Sequence, residues 1–263
     1  MKDLTKGKPS TLILAFALPI FFANLLQLTY SLVDTRIVGT FLGEDALAAV
    51  GATTTLSNLI IGFLQGLSGG FAIIIAQKFG AKDYKNVKKS FAMSLTMGTG
   101  IAIFFTVFGL LFLQPILNIL NVPSDLMATA KSYIFVIIAG LVATFLYDAC
   151  AAALRSLGDT VTPLVILAIS VALNIVGDLL FVVVLKSGVR GAAIATVLAQ
   201  AIAFVVCWIY MVKRYELLRL SREDFKDPNP VMVKNMLGAG MSMGFMSSLI
   251  NICLLYTSPS PRD

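Results

Sequence analysis

The 263-residue sequence predicts an all-α polytopic membrane protein. Three observations carry that reading. Hydrophobic residues make up 58% of the chain and charged residues only 13%, with a mean hydropathy of +0.89. A soluble domain of this size needs far more polar surface, so lipid is the solvent for most of the exterior. Apolar runs long enough to cross about 30 Å of hydrocarbon recur at 11–33, 47–76, 90–114, 132–154, 162–185, 191–212 and 232–252. Helix is the conformation that fits them. A barrel strand is about ten residues with strict alternation, whereas these runs are twice that length without alternation.

The remaining composition narrows the function classes. The net charge of +6 does not mark a nucleic-acid binder, because the Lys and Arg residues fall in short clusters between apolar runs. Cys150, Cys207 and Cys253 fit neither a metal site nor a disulfide framework, and there is no His, so a proton relay must use carboxylates, hydroxyls or water. No nucleophile–base constellation points to an enzyme, and no cofactor is expected. With the N-terminus inside, fifteen Lys and Arg residues lie in cytoplasmic segments, among them Lys78, Lys85, Arg155, Lys213 and Arg214. Four, Arg36, Lys131, Lys186 and Arg190, lie outside. The positive-inside bias therefore places the N-terminus in the cytoplasm, with contact to anionic lipid as a secondary effect.

Taken in order, the runs differ in their polar content. The first follows the short basic "MKDLTKGKPS", is too long for a signal-peptide core and reads as a retained span. It carries Asn24, Gln27, Ser31 and Asp34 at steps of 3, 4 and 3, on one helix face. Pro19 lies within it, removes a backbone donor and frees the Ala15 carbonyl, predicting a kink or hinge. The second run carries Thr54, Asn58, Gly62, Gln65 and Gly69, and its "GFLQGLSGGFA" (62–72) predicts close helix packing or a moving contact. The fourth holds Asp148 seven residues before Arg155. The fifth carries Ser170, Asn174 and Asp178 at steps of four, and the sixth Thr196 and Gln200. Residues 213–231 form a charged linker ending in "PNP", and 232–252 the seventh span. The tail, 253–263, breaks the pattern and resembles a translated sequencing-library adapter, so that a natural chain would continue beyond about residue 252.

Single amides and hydroxyls in spans commonly glue helices together, for about 1 kcal/mol each. An ionised Asp at midspan costs roughly 2.5–3.5 kcal/mol on insertion scales, which a structural hydrogen bond rarely justifies. Asp178 is therefore read as functional. At 1.5 Å per residue it lies about 11 Å inside the outer end of its helix, and Thr196 about 8 Å inside the same surface. Asp34 closes the first span at the outer side, so these three share one level; Asp148 lies nearer the cytoplasm.

Four stretches in order resemble the MATE (multidrug and toxic compound extrusion) family: "FALPIFFANLLQLTYSLVDTRIVGTFLGEDALAAVG" (16–51), "GLSGGFAIIIAQKFGAKD" (66–83), "LRSLGDTVTP" (154–163), and "NIVGDLLF" followed by "GVRGAAIATVLAQ" (174–200). The resemblance implies two six-helix lobes around a central cavity. This chain would supply the first lobe (1–212), the linker (213–231) and the first helix of a second lobe (232–252), its own remaining half being the missing partner. It also implies export of drug-like cations from the cell membrane in exchange for H⁺ or Na⁺. Carried over by position, Asp34, Asn174, Asp178 and Thr196 would form the cation or proton site, with any Na⁺ at Asp34 and Asp178, and Pro19 as the bending point. Asn24, Gln27, Ser31, Asn58, Gln65 and Gln200 are cavity-lining candidates. Asp148 stands where the family more often has Asn, and would add a second titrating carboxylate or a partner for Arg155. Loading of the carboxylates would change the bend at Pro19 and release drug outward. Entry of one charge down 100 mV supplies roughly 2.3 kcal/mol, about fortyfold in drug gradient. The competing expectations are a lipid-linked glycan flippase of the same superfamily, whose cavity would carry several basic residues, and an uncoupled channel or structural membrane protein.

Overall fold

The computed structural model describes residues 9–226 and 229–257. Nine α-helices and no strand occur among them. They are α1 (Pro9–Leu42), α2 (Glu44–Gly80), α3 (Tyr84–Leu111), α4 (Leu113–Ile119), α5 (Met127–Ala139), α6 (Leu141–Ser156), α7 (Val161–Asp178), α8 (Gly188–Arg214) and α9 (Pro230–Thr257). By length and composition α1, α2, α3, α8 and the segment Val161–Val184 can each cross a membrane, and α5 with α6 makes a sixth, bent span. α9 is not counted among them. The adapter-like tail lies outside the described residues except for 253–257, over which α9 continues.

Turns between helices follow local chemistry. Gly43, at φ +87°, lets α1 reverse into α2 within one residue. Asp83 caps α3, accepting from the Asn86 backbone N–H at 3.3 Å and from Asn86 Nδ2 at 2.6 Å. The "LRSLGDTVTP" motif is a helix stop and restart. Gly158 adopts φ +86°, the Asp159 N–H donates back to the Leu154 carbonyl at 3.0 Å, and Asp159 Oδ1 accepts from the Thr162 N–H at 3.0 Å, in the first turn of α7.

Three expectations of regular helix are corrected. The predicted span 132–154 is two helices meeting at a 44° bend at Gly140. A Cβ there would run into the Val197 side chain, so α8 packs against the bare backbone and holds the bend. The span 162–185 is α-helical only to Asp178; Leu179–Val184 is π-helical, closed by Leu185 N–H to the Leu180 carbonyl at 2.9 Å. The span 90–114 ends at Leu111, and α4 starts at Leu113. By contrast, α1 passes through Pro19 as one unbroken helix.

The main core lies where α2, α3, α5, α6 and α8 meet, with Phe71, Phe91, Phe145, Leu64 and Leu154 fully buried. The most extensive pairing is antiparallel, between α2 and α9. Its seam is glycine on glycine. Gly62, Gly66 and Gly70 lie one turn apart; Gly66 faces Gly244 and Gly70 faces Gly240, while Gly62 meets Asn251 and the Ser247 carbonyl. A Cβ on Gly66 would stand 2.8 Å from Gly244 Cα and 2.7 Å from Ser247 Oγ. Such close backbone approach gains dispersion energy where lipid supplies no hydrophobic drive. Ser248 Oγ donates to the Leu59 carbonyl at 3.2 Å and Asn251 Nδ2 to the Asn58 carbonyl at 3.1 Å, fixing the register.

The linker is folded where it is described. Two 3₁₀ turns, Glu216–Leu218 and Arg222–Phe225, carry it, the second held by a capping box between Ser221 and Asp224. Leu218 is fully buried. Tyr215 Oη donates to Asp159 Oδ2 at 2.7 Å and pins the end of α8 to the α6–α7 turn. Burial alone would raise the Asp159 carboxyl, but the Tyr215 hydroxyl and the Thr162 donors outweigh it and hold the group below its ordinary value.

Two predictions follow from this packing. Gly66→Leu overpacks the α2–α9 seam and lowers the midpoint of thermal unfolding in detergent by about 2–10 °C. Gly69→Ala, whose Cβ meets nothing within 4 Å, leaves it unchanged. Tyr215→Phe costs about 1 kcal/mol at pH 7, allowing for the partial exposure of the pair. Because the folded-state Asp159 titrates below its unfolded value, that difference is full above about pH 4 and closes as the pH falls through the lowered value. Melting curves of both proteins from pH 7 to pH 3 measure it.

Candidate functional site

α1, α7 and α8 converge at one end of the bundle, and their polar residues meet there. Asp178 is fully buried in the last turn of α7, with Asn174 2% and Ser170 4% exposed on the same face. Asp34, half-buried, comes across from α1, and the Asp34 and Asp178 carboxyls lie within hydrogen-bonding reach of each other. Thr196 enters from α8, where its hydroxyl reaches its own Ala192 carbonyl at 3.1 Å. The Asn174 amide bridges α7 to α8. With Nδ2 toward Asp178 Oδ2 at 3.0 Å, its Oδ1 accepts from Thr196 Oγ1 at 3.2 Å and from the Thr196 N–H at 3.1 Å, whereas the reverse orientation makes only the 3.2 Å contact from Nδ2 to Thr196 Oγ1.

Tyr30 completes the group. Its hydroxyl is 3.0 Å from Thr196 Oγ1. With the Asn174 amide donating to Asp178 Oδ2, hydrogen-bonding contacts link Tyr30, Thr196, Asn174 and Asp178, and the one Thr196 hydroxyl proton is shared between the Ala192 carbonyl and Asn174 Oδ1. One oxygen of each acid, Oδ1 of Asp34 and Oδ1 of Asp178, is shut off from solvent and has no hydrogen-bond partner. Two negative charges at that separation repel, and a proton or a small cation between them removes the repulsion. The pair with Thr196 and Asn174 supplies only oxygen and amide ligands, the hard donors that suit a proton or an alkali cation. No cluster of three or more His, Cys, Asp or Glu suited to a resident metal occurs among the described residues.

An apolar layer closes the site on the side of the α1–α2 turn. Val38, Val182 and Ala192 each stand one helical turn beyond or before Asp34, Asp178 and Thr196, and pack with Ala46, Val50 and Val189. Tyr133 of α5 packs against this layer. The π-helical segment begins at the residue after Asp178 and carries Val182 into the layer.

Other expected positions fall elsewhere. Asp148 lies on α6, with Oδ2 buried and unpartnered, and its charged neighbour is Arg155 rather than either acid of the pair. Gln200 Oε1 is buried without a partner on α8. Asn24, Gln27 and Ser31 are exposed along α1, Asn58 is exposed beside α9, and Gln65 is half-buried. Pro19 lies on α1 fifteen residues before Asp34, inside the unbroken helix. Tyr30 and Tyr133 were not among the expected residues. Tyr30 sits four residues before Asp34, a spacing the sequence displays; Tyr133 has no comparable signal, because the run that contains it carries no polar stripe.

Residues 19–180 match the MatE family. The chain is 29% identical over 260 residues to "Probable multidrug resistance protein YpnP" of Bacillus subtilis (strain 168), covering 97% of this chain and 58% of that protein. It is 32% identical over 225 residues to "Probable multidrug resistance protein YoeA" of the same organism, covering 82% and 48%. A solved structure described as the outward-facing conformation of a multidrug resistance MATE family transporter of the MOP superfamily superposes with a TM-score of 0.89 at 25% identity, over 97% of this chain and 56% of that one. The chain thus spans about half the length of the curated relatives it matches. A family match over more than half the residues, joined to the same helical architecture, places this chain in the MATE family of membrane transporters.

Proposed function

We propose that the chain acts as the first lobe of a cation-coupled exporter of drug-like organic cations, in exchange for H⁺ or Na⁺, in the cell membrane with its N-terminus cytoplasmic. The observation that carries the reading is the facing pair Asp34 and Asp178, each with a buried, unpartnered oxygen, on different helices. A lone structural acid would be satisfied by its neighbours; this pair is satisfied only by a proton or cation. The names of the relatives supply the multidrug substrate class, and the basic residues between the spans supply the orientation.

The mechanism uses the three helices that carry the site. The loaded pair draws the outer part of α1 to α7 through Asp34, while Tyr30 ties α1 to α8 through Thr196. Loss of the proton or cation restores repulsion between the carboxylates and pushes α1 away. Pro19 leaves the Ala15 carbonyl without its usual donor, so α1 bends there at lower cost than elsewhere. Bending exposes or withdraws the Asn24, Gln27 and Ser31 face that binds the organic cation. Exchange is obligatory because carboxylates neutralised by H⁺ or Na⁺ no longer attract a cationic drug. Asp178 is buried and Asp34 half-buried in the described spans, whereas Arg36, at a similar depth, is exposed and the other Lys and Arg lie near helix ends; this favours cations over the anionic head of a lipid-linked glycan.

In proteoliposomes loaded with a fluorescent organic cation, an imposed inward H⁺ or Na⁺ gradient is expected to drive efflux. Asp178→Asn and Asp34→Asn each reduce the gradient-driven component at least tenfold. Unchanged gradient-driven efflux in both variants contradicts the reading. Thr196→Val removes the hydroxyl that links Tyr30 to Asn174 and lowers the apparent affinity for the driving ion by about tenfold, the loss of one hydrogen bond to a charged network. An unchanged dependence of efflux on driving-ion concentration in Thr196→Val shows that the relay plays no part in loading.

A further inference from the structure

Four buried side-chain oxygens lack a hydrogen-bond partner among the described residues, and two of them lie away from the acid pair: Gln200 Oε1 on α8 and Asp148 Oδ2 on α6. Their levels follow from the register of the two helices. Gly140, where α6 begins, meets the Val197 side chain of α8. Ten residues further along each helix, the Cys150 and Cys207 thiols lie within hydrogen-bonding reach of each other. α6 and α8 therefore run parallel and in step. Gln200 is three residues past Val197 and Asp148 eight past Gly140, so Asp148 stands about 7–8 Å nearer the α6–α7 turn. Thr196, in the acid-pair group, precedes Gln200 by one turn, about 6 Å, and Arg155 follows Asp148 by seven residues, about 10 Å, at the end of α6.

The four orphaned oxygens thus form a series. Two belong to the pair, and the other two follow toward the α6–α7 turn, the end that the Lys and Arg distribution marks as cytoplasmic. A buried acceptor without a protein donor is met by ordered water, and steps of about 6–8 Å are each within the reach of one or two bridging waters. Other ionisable groups are few along the way. α6 itself brings Tyr147 and Arg155, and α8 brings Cys207 beside Tyr147. α2 has no ionisable residue between Asp45 and Lys78, and those of α3 are Tyr84, Lys85, Lys88 and Lys89 at its start. α5 and α7 hold theirs, Lys131, Tyr133 and Asp178, toward the end where the pair lies. A proton hops from oxygen to oxygen through water. An alkali cation needs several oxygens at once, and Gln200 and Asp148 stand too far apart to hold one ion together.

We infer that Gln200 and Asp148 form the inward release path for a proton held by the Asp34–Asp178 pair, with Asp148 as proton acceptor and Gln200 as a positioning residue that orients the intervening water. The proton leaves the pair as hydronium, passes the water held at Gln200 Oε1, and converts the Asp148 carboxylate to the neutral acid. Asp148 then gives it to water at the Arg155 end and returns to the carboxylate; only O–H bonds form and break. An acid on the release path explains a buried carboxyl that the pair does not use. The inference rests on the exporter reading and narrows its driving ion to H⁺.

The test begins with infrared difference spectra of the chain in lipid, stepped from alkaline to acid buffer, in which a protonated carboxyl shows its own C=O band. Asp148→Asn is expected to remove a component that Asp34→Asn and Asp178→Asn leave in place. It keeps the component of the pair, which shows that the variant folds. Na⁺ added at constant pH leaves the Asp148 component unchanged. In proteoliposomes, Asp148→Asn and Gln200→Leu each slow H⁺-driven efflux at least about tenfold without changing its half-saturating H⁺ concentration, and Asp148→Glu recovers part of the rate. A residue needed only for packing would not separate rate from affinity in this way. Three results would each overturn the inference: no component lost in Asp148→Asn, an Asp148 component abolished by Na⁺, or unchanged rates in Asp148→Asn and Gln200→Leu while Asp178→Asn has lost its own. The last leaves the exporter reading standing, whereas unchanged rates in Asp34→Asn, Asp178→Asn and Asp148→Asn alike overturn both.

Discussion

Two carboxyl groups held face to face in a water-poor place are the constraint on which this structure turns. Asp34 and Asp178 cannot be satisfied by the groups around them, because one oxygen of each is buried without a donor. The surroundings are nonetheless built to hold the pair. Asn174 and Thr196 fix the Asp178 side, Tyr30 reaches across to Thr196, and an apolar layer of Val38, Val182 and Ala192 covers one end of the site. Low dielectric strengthens every charge interaction in such a place, favourable or not. A structure that spent its polar groups this way for stability alone would have been better served by an amide.

Rigid and yielding parts of the bundle divide along the same lines. The α2–α9 seam is packed backbone to backbone through facing glycines and has no room to slide without steric cost. The bend at Gly140 is held by Val197, and the end of α8 is pinned by the Tyr215–Asp159 hydrogen bond. α1 is different. Much of its surface is exposed, including Leu14, Leu18, Phe21, Leu25, Leu28 and Leu32, and it is tied to the bundle chiefly through α7 near the acids. A helix with one firm attachment and a proline in its interior is the element that a change at the acids can move. Its other end lines a cavity beside the α6–α7 turn and the end of α8, away from the acids.

Much of this was legible in the sequence because period and polarity are local properties. Steps of three and four put Asp34, Asn174, Asp178 and Thr196 on helix faces, and rise per residue put Asp34, Asp178 and Thr196 at one depth. The glycine cluster at 62–72 announced close packing, though not that α9 was the partner or that Gly66 and Gly70 rather than Gly69 would meet it, since both depend on tertiary arrangement. What stayed hidden has physical reasons. The π-helical turn after Asp178 leaves no mark in "LLFVVV", because a wider hydrogen-bond ring changes no residue type. The bend at Gly140 arises from a side chain on another helix, and nothing in the run 132–154 distinguishes that glycine from one inside a straight span. Tyr30 was passed over because an aromatic ring in an apolar run reads as lipid-facing; only its hydroxyl is polar, and only the fold shows where it points. Tyr133 comes from a helix without any polar pattern. One cavity brings Leu12 near Lys213 across two hundred residues, a proximity that no local pattern encodes.

The convergence of the two acids is tested most directly by thiol cross-linking in membranes. In a chain with Cys150, Cys207 and Cys253 replaced, Asp34→Cys is paired with Asp178→Cys, and Asp159→Cys with Asp178→Cys as a control at opposite ends of α7, about 28 Å apart. A short bifunctional thiosulfonate is expected to bridge the first pair rapidly and leave the control pair unbridged. Failure to bridge positions 34 and 178 while both thiols react singly with the same reagent, or bridging of both pairs alike, would contradict the account.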